Sequence, residues 1–143
     1  MRYSSRQVGY SIAIHDDAID DIDKIYLVDE DAAADIEVFL EEAKLNQKTL
    51  DNLTVNKYVN YEVPPYNVTE LVELKRKKFI LWRIRLLWLN SNARDYRIIY
   101  AFNPAEMRYY ILGVVLREFN YDINHETTKR IIAAYDKLGI PRI

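Results

Sequence analysis

Residues 79–117 carry the tightest constraint on the fold. Three short, largely apolar runs in this stretch are separated by short polar segments, and the first alternates apolar and basic side chains over Trp82-Arg83-Ile84-Arg85-Leu86. A strand sends successive side chains to opposite faces, so such runs predict half-buried strands rather than helices. The spacing predicts a strand over Phe79–Trp88, a polar turn over Leu89–Arg94, and a second strand over Tyr96–Phe102. Asn103-Pro104-Ala105-Glu106 suits a hairpin turn, and Met107–Leu116 is the third strand. One face takes Trp82, Ile84, Leu86, Tyr96, Ile98, Tyr100, Phe102, Leu112, Val114 and Leu116. Arg83, Arg85, Arg97, Ile99, Ala101, Gly113, Val115 and Arg117 fall on the other, so four guanidinium groups share one face.

The remaining segments supply helices to cover the apolar face. Gly9–Ile14 reads as a short first strand, after which Asp16 or Asp17 can cap a helix carrying Ala18, Ile19, Ile22, Ile25 and Tyr26. Asp29-Glu30-Asp31 opens a longer helix with the stripe Ala32, Ala33, Ile36, Phe39, Leu40 and Ala43, which Leu50 and Leu53 can continue. Its opposite side is acidic, so residues 17–50 form an amphipathic helical hairpin. Pro64-Pro65 argues against a central strand in 52–69, which reads as a long loop with room for a short strand or helical turn. Leu71–Lys77 is a short helix or turn, and Asn124 can cap a last helix carrying Ile131, Ile132, Tyr135 and Leu138, ended by Gly139 and Pro141. The expected fold is α+β: a small antiparallel sheet in the order β-α-α-β-β-β-α, with the helical hairpin on one face.

The length of 143 residues, half of them apolar, fits one domain spanning 1–143. With no cysteine there is neither a disulfide framework nor thiolate chemistry, which points to a reducing, cytoplasmic compartment. The N-terminal MRYSSRQVGY has no long apolar core, so no signal peptide is expected. The most apolar run, FILWRIRLLWL, is interrupted by two arginines, so no membrane span is expected. Two distant histidines give no zinc spacing, and three glycines leave no phosphate-binding loop, so neither a metal nor a cofactor is expected.

A net charge of −2 conceals a strong asymmetry. Residues 1–70 hold six basic and fifteen acidic side chains, net −9, while 71–143 hold fourteen and seven, net +7. Either the halves are two solvated faces of opposite sign, or a basic functional surface sits beside an acidic scaffold. The arginine face favours the second. Its cations repel one another, the same half of the chain offers few acids, and a guanidinium matches the oxygens of a phosphodiester in a bidentate fork. The run Lys75-Arg76-Lys77-Lys78 leads into the first of these strands and can extend a track for RNA.

In WRIRL (82–86), DYRIIYAF (95–102), LGVVLRE (112–118) and NYDINHETTKRI (120–131), the chain resembles the RelE/ParE superfamily of bacterial type II toxins. The opening A-x-x-D-I-x-x-I at Ala18–Ile25 is similar to that group as well. The resemblance implies a toxin neutralised by a cognate antitoxin, and in its RelE-like branch a metal-independent endoribonuclease that cuts mRNA on the ribosome. It further implies that Arg97 and Arg117 hold the scissile phosphate and that Arg83 and Arg85 bind phosphate or aid proton transfer. Tyr121 would then be the base that takes the 2′-hydroxyl proton, its phenol brought down by nearby guanidinium groups, or a ring on which a nucleobase stacks. His125 is a possible addition to the site, a capping or surface role being the alternative. Two readings of another class accompany this one: a ParE-like inhibitor that binds DNA gyrase without catalysis, and a nucleic-acid-binding or interaction module on the same fold.

Overall fold

A computed structural model describes residues 9–87 and 91–140. The readings given above for the N-terminal segment 1–8, for the end of the strand at Trp88, for Leu89 and for Pro141 lie outside the described residues.

The chain runs β1 (Ser11–Ile14), α1 (Asp16–Val28), α2 (Glu30–Ala43), α3 (Gln47–Asp51), β2 (Val59–Asn60), β3 (Tyr66–Glu70), α4 (Val72–Lys75) and β4 (Trp82–Leu86). A 3-10 turn over Asn92–Asp95 leads into β5 (Tyr96–Asn103), β6 (Arg108–Leu116) and α5 (Glu126–Lys137). The strands form one six-stranded sheet in the order β1-β6-β5-β4-β3-β2. The class is α+β as expected, but three features differ from the expected sheet. The sheet is mixed, because β1 pairs in parallel with β6, Ser11 facing Arg108 and Ile14 facing Ile111. It also has β2 and β3, which occupy part of the 52–69 segment read as a loop with room for a short strand, β3 running one residue past it. Pro64-Pro65 does not forbid β3: the strand starts immediately after the prolines, so its own N–H groups are intact. Finally, the helices do not all lie on one face.

The first face packs against the helical hairpin. Ile22, Ile25, Ile36, Phe39 and Leu40 meet Val68, Ile84, Ile98, Tyr100, Tyr109 and Ile111 in one core. Tyr100 and Tyr109 each use the hydroxyl to bind the chain above, donating to the carbonyls of Leu53 and Leu50 at 2.6 Å. The hairpin ends at Ala43, and Leu50 and Leu53 belong to α3 and the turn after it rather than to α2. On the second face, α4 and α5 build another core from Leu71, Leu74, Leu81, Ile99, Ala101, Leu112, Ile131, Ala134 and Tyr135. Half of the face expected to be open is therefore covered.

A bulge in β6 explains one misplaced residue. Ile99 faces Gly113 while Tyr100 faces Ile111, so Leu112 is the extra residue on its strand. The strict alternation read from the sequence put Leu112, Val114 and Leu116 on one face. Instead Leu112 enters the second core, Val114 enters the first, and Leu116 stands 52 % exposed. Gly113 was read as leaving room for something to approach the sheet. What approaches is internal: a Cβ there would sit 3.3 Å from both Asp21 Oδ2 and Ile131 Cδ1.

Both histidines prove to be helix caps. His15 Nδ1 accepts from Asp17 N at 3.0 Å and His125 Nδ1 accepts from Thr127 N at 3.0 Å. Asp16, Asp17 and Asn124, the expected caps, lie beside these positions but do not cap. An imidazole nitrogen can accept from the free N–H groups of a first turn as a carboxylate or amide oxygen does. α2 opens at the expected Asp29-Glu30-Asp31, where Asp29 is the cap, accepting from Ala32 N at 3.2 Å.

Candidate nucleic-acid interface

The polar end of the second face is built by register. Across β3, β4 and β5, Thr69 faces Arg83 and Arg83 faces Ile99, while Asn67 faces Arg85. Ile84 and Ile98 are the last paired residues of β4 and β5, and one step beyond them come Arg85 and Arg97. Arg97 in turn faces Val115 of β6. Alternation thus puts Arg83, Arg85 and Arg97 on one side, and their cross-strand neighbours are uncharged. None of the three has an ion pair among the described residues.

Tyr121 comes over this end from the connection between β6 and α5. Its backbone is left-handed, with φ +58°, and its ring is only 5 % exposed, stacked edge-on to Phe119 at 5.2 Å. A non-glycine residue held at positive φ is uncommon and needs its surroundings to hold it there. Packing of the Phe119 and Tyr121 rings into the second core does so.

The polar atoms that meet here are left without partners. Arg83 Nη1, Arg97 Nε, Tyr121 Oη and Asn67 Oδ1 are all buried and make no hydrogen bond. Buried polar groups are nearly always satisfied, so four such atoms at one end of one face are an uncommon concentration of unused hydrogen-bonding capacity. Burial lowers the pKa of Arg83, and the neighbouring Arg97 lowers it further, with Tyr121 and Glu73 opposing and Arg85 adding to the effect. A guanidinium remains protonated through such a shift. For Tyr121 the net direction is opposite to expectation. Burial pushes its phenol up, and the guanidinium groups of Arg97 and Arg83 only partly offset this, while Glu73 on α4 adds to the rise. Arg97 lies near hydrogen-bonding range of the phenol, outside full alignment, and lowers its pKa both as that neighbour and by its charge, while Arg83 acts by charge. Tyr121 is consequently a neutral hydrogen-bond donor at physiological pH, and the expected base role meets a phenol pushed the wrong way.

The other expected site residues are elsewhere or otherwise engaged. Arg117 lies just past the end of β6, where its N–H bonds to Asp95 O at 2.9 Å; its side chain is 44 % exposed with Glu118 at 3.7 Å. Arg85 stays on the face but turns its Nε to the Arg94 carbonyl at 3.3 Å. His125 caps α5 and sits edge-on to Phe119 at 4.8 Å. In the basic run, Lys75 is bound to Glu70 at 3.0 Å, and Arg76, Lys77 and Lys78 are exposed. The structure therefore brings together Arg83, Arg97 and Tyr121 with Arg85 beside them, and leaves Arg117 and His125 outside.

Sequence reasoning missed Asn67, Thr69 and Glu73. The signal for the first two was present, since Tyr66-Asn67-Val68-Thr69 alternates as a strand should, but the two prolines before it argued for a loop. No group of three or more histidine, cysteine or acidic side chains lies close enough to hold a metal among the described residues. A cavity of about 470 Å³ lies between the end of α2 and the 60–64 turn, over Phe39 and Tyr66, and no arginine lines it. No described helix is long and apolar enough to cross a membrane. Comparison with protein-family models, curated proteins and solved structures finds no match to the chain.

Proposed function

We propose that the face made by Arg83, Arg85 and Arg97 binds the phosphodiester backbone of RNA. We infer further that the protein is a toxin of the RelE/ParE kind, acting on mRNA in the cytoplasm, with the ribosome as the site of action and an antitoxin as its partner. The observation that carries the reading is the set of unpartnered buried atoms, Arg83 Nη1, Arg97 Nε and Tyr121 Oη, on one end of one sheet face. Two cationic N–H groups and a phenol O–H are the complement of phosphate oxygens.

If this site cleaves RNA, the 2′-hydroxyl attacks the adjacent phosphorus and the 5′-oxygen leaves. Arg83 and Arg97 would carry the charge that builds on the phosphorane oxygens. Tyr121, protonated, can donate to the leaving oxygen or to a non-bridging oxygen. Its raised phenol disfavours taking the first proton, and the carboxylate that acts on the cluster is that of Glu73. That same observation favours a second reading, in which the face binds RNA and a partner molecule without cutting efficiently.

The test is controlled expression in bacteria of the native chain and of Arg83→Ala, Arg97→Ala and Tyr121→Phe. Growth arrest with mRNA cut inside reading frames, lost in both arginine variants, is expected for the nuclease. Arrest with intact mRNA and altered DNA supercoiling would replace it with the gyrase-directed reading. No arrest, with RNA still bound by the purified protein and released by Arg97→Ala, is the outcome for a binding module.

A further inference from the structure

The sheet ends in two edges of different character. At one end β2 is two residues long, and Pro64-Pro65 follow it closely, so another strand finds little to pair with. At the other end β1 reads Ser11-Ile12-Ala13-Ile14, with no charge, proline or glycine to keep an edge from pairing. All four residues are only half-buried. The inner hydrogen bonds of β1 fix which way each residue points. Ser11 N donates to Met107 O at 3.1 Å, and His15 N donates to Ile111 O at 2.9 Å. Successive residues of a strand turn their N–H and C=O groups to opposite sides. Ser11, Ala13 and His15 therefore bond to β6, while Ile12 and Ile14 turn theirs outward, where no described strand meets them.

We propose that the outer edge of β1 pairs antiparallel with β1 of a second copy of this chain, about a two-fold axis at Ala13. In that register Ile12 of each copy lies opposite Ile14 of the other, and each such pair exchanges both of its N–H···O bonds. Ala13 meets its own counterpart in the close, non-hydrogen-bonded pair, with Cα atoms about 4.5 Å apart, where a small side chain fits. Ile12 and Ile14, packed only partly against the first core, extend it across the axis. Charge selects the antiparallel sense. Arg108 lies beside the start of β1, its Nε 3.1 Å from Ser11 Oγ, exposed and without an ion pair among the described residues. Asp16 and Asp17 follow the end of β1, in the first turn of α1. Antiparallel pairing brings Arg108 of each copy towards Asp16 and Asp17 of the other, whereas parallel pairing would set like charges together. The edge is thus complementary to itself, as a two-fold interface requires. Such an axis stands perpendicular to the sheet, so both arginine faces open to the same side of the dimer. The contact is small, and the dimer it makes is weak and concentration-dependent.

Sedimentation equilibrium over a range of concentrations tests this. The native chain is expected to rise with concentration from 17.0 kDa towards twice that mass. Ile12→Pro removes only an outward N–H, and Ala13→Lys sets two cations together at the axis. Both are expected to stay monomeric with the circular dichroism of the native chain, and either one suffices if the other does not fold. The chain has no cysteine, so single-cysteine variants report the register. Under oxidation Ala13→Cys should link into a dimer, because the two Cα atoms at the axis lie within disulfide range. Ser11→Cys should not, because Ser11 lies opposite His15 and far from its own counterpart. Three outcomes would each overturn the pairing: a native chain that keeps the mass of one chain at every concentration, a folded Ile12→Pro or Ala13→Lys that still dimerises, and Ser11→Cys linking as readily as Ala13→Cys.

Discussion

Arg83 pays a folding cost for the position it occupies. Its Nη1 is buried without a partner, and both burial and Arg97 act against its charge. Replacing it by methionine keeps the packing of the aliphatic stem and removes the buried cation. The expected outcome of Arg83→Met is a gain of about 1 kcal/mol in stability by urea denaturation, together with weaker RNA binding and a salt dependence shallower by about 0.7 in log–log slope. A loss of stability would mean that Arg83 is satisfied by contacts within the fold and is not waiting for a ligand. The side of the sheet that this arginine takes was readable in the sequence, because alternation along Trp82-Arg83-Ile84-Arg85-Leu86 leaves only two choices and the apolar residues decide between them. The state of Tyr121 was not readable. Its ionisation depends on how deeply the ring is buried against how closely Arg97 approaches, and neither distance is written in the residues around it.

Between β6 and its neighbours, a single carboxylate closes a sheet edge. β1 pairs only with Arg108–Ile111, so among the described residues the later half of β6 has no strand on that side. Asp21 of α1 fills the gap: its Oδ2 accepts from Val114 N at 2.9 Å, and Arg130 of α5 grips both of its oxygens at 3.0 and 2.7 Å. With its side chain only 11 % exposed, Asp21 depends on that guanidinium to balance its charge. Arg130→Met should lower stability by about 2 kcal/mol, the usual scale for hydrogen bonds to a charged group, read as a lower urea midpoint with an unchanged slope. Adding Asp21→Asn should recover part of the loss, because a neutral amide oxygen still accepts from Val114 N without leaving a stranded charge. An unchanged midpoint in Arg130→Met would show that the edge is held by packing alone. None of this was legible beforehand. The bulge at Leu112 shifts the register by one residue, and it is set by what packs on either side of Gly113 rather than by the apolar pattern of β6. The helical hairpin was legible, since Ile22, Ile25, Ile36, Phe39 and Leu40 repeat at helical spacing and all of them are buried. β3 hid behind two prolines that begin it rather than break it.

The two halves of the chain, net −9 and net +7, divide the molecule's labour between its sheet faces. The acidic half supplies the hairpin that covers the first face, and the basic half supplies the strands whose arginines line the second. Besides the β1–β6 and β3–β4 ladders and the Asp21 contacts, a pair of tyrosines links them. Tyr100 and Tyr109, fully buried in the sheet, donate to the Leu53 and Leu50 carbonyls and so tie the segment after the hairpin to the strands. Burial raises both phenols: Tyr100 well above its ordinary value, with Tyr109 and Tyr66 adding to it, and Tyr109 too, where the nearby Thr54 hydroxyl offsets part of the rise. The sign follows from linkage. An unfolded tyrosine ionises near pH ~10, while these two keep their protons in the native state, so the stability they contribute is complete below that pH and is lost as pH rises above it. Unfolding should therefore steepen above pH ~10, each buried tyrosine adding up to about 1.4 kcal/mol per pH unit to the decline. Tyr100→Phe should cost about 1 kcal/mol at pH 7, through the lost hydrogen bond and the Leu53 carbonyl it leaves, and should also remove one proton's worth of the alkaline slope. Urea midpoints measured across pH 7–11 for the native chain and this variant decide the matter. Parallel curves for the two would mean that the Tyr100 hydroxyl ionises as freely in the folded protein as in the unfolded chain, and that its bond to Leu53 contributes nothing to the alkaline limb.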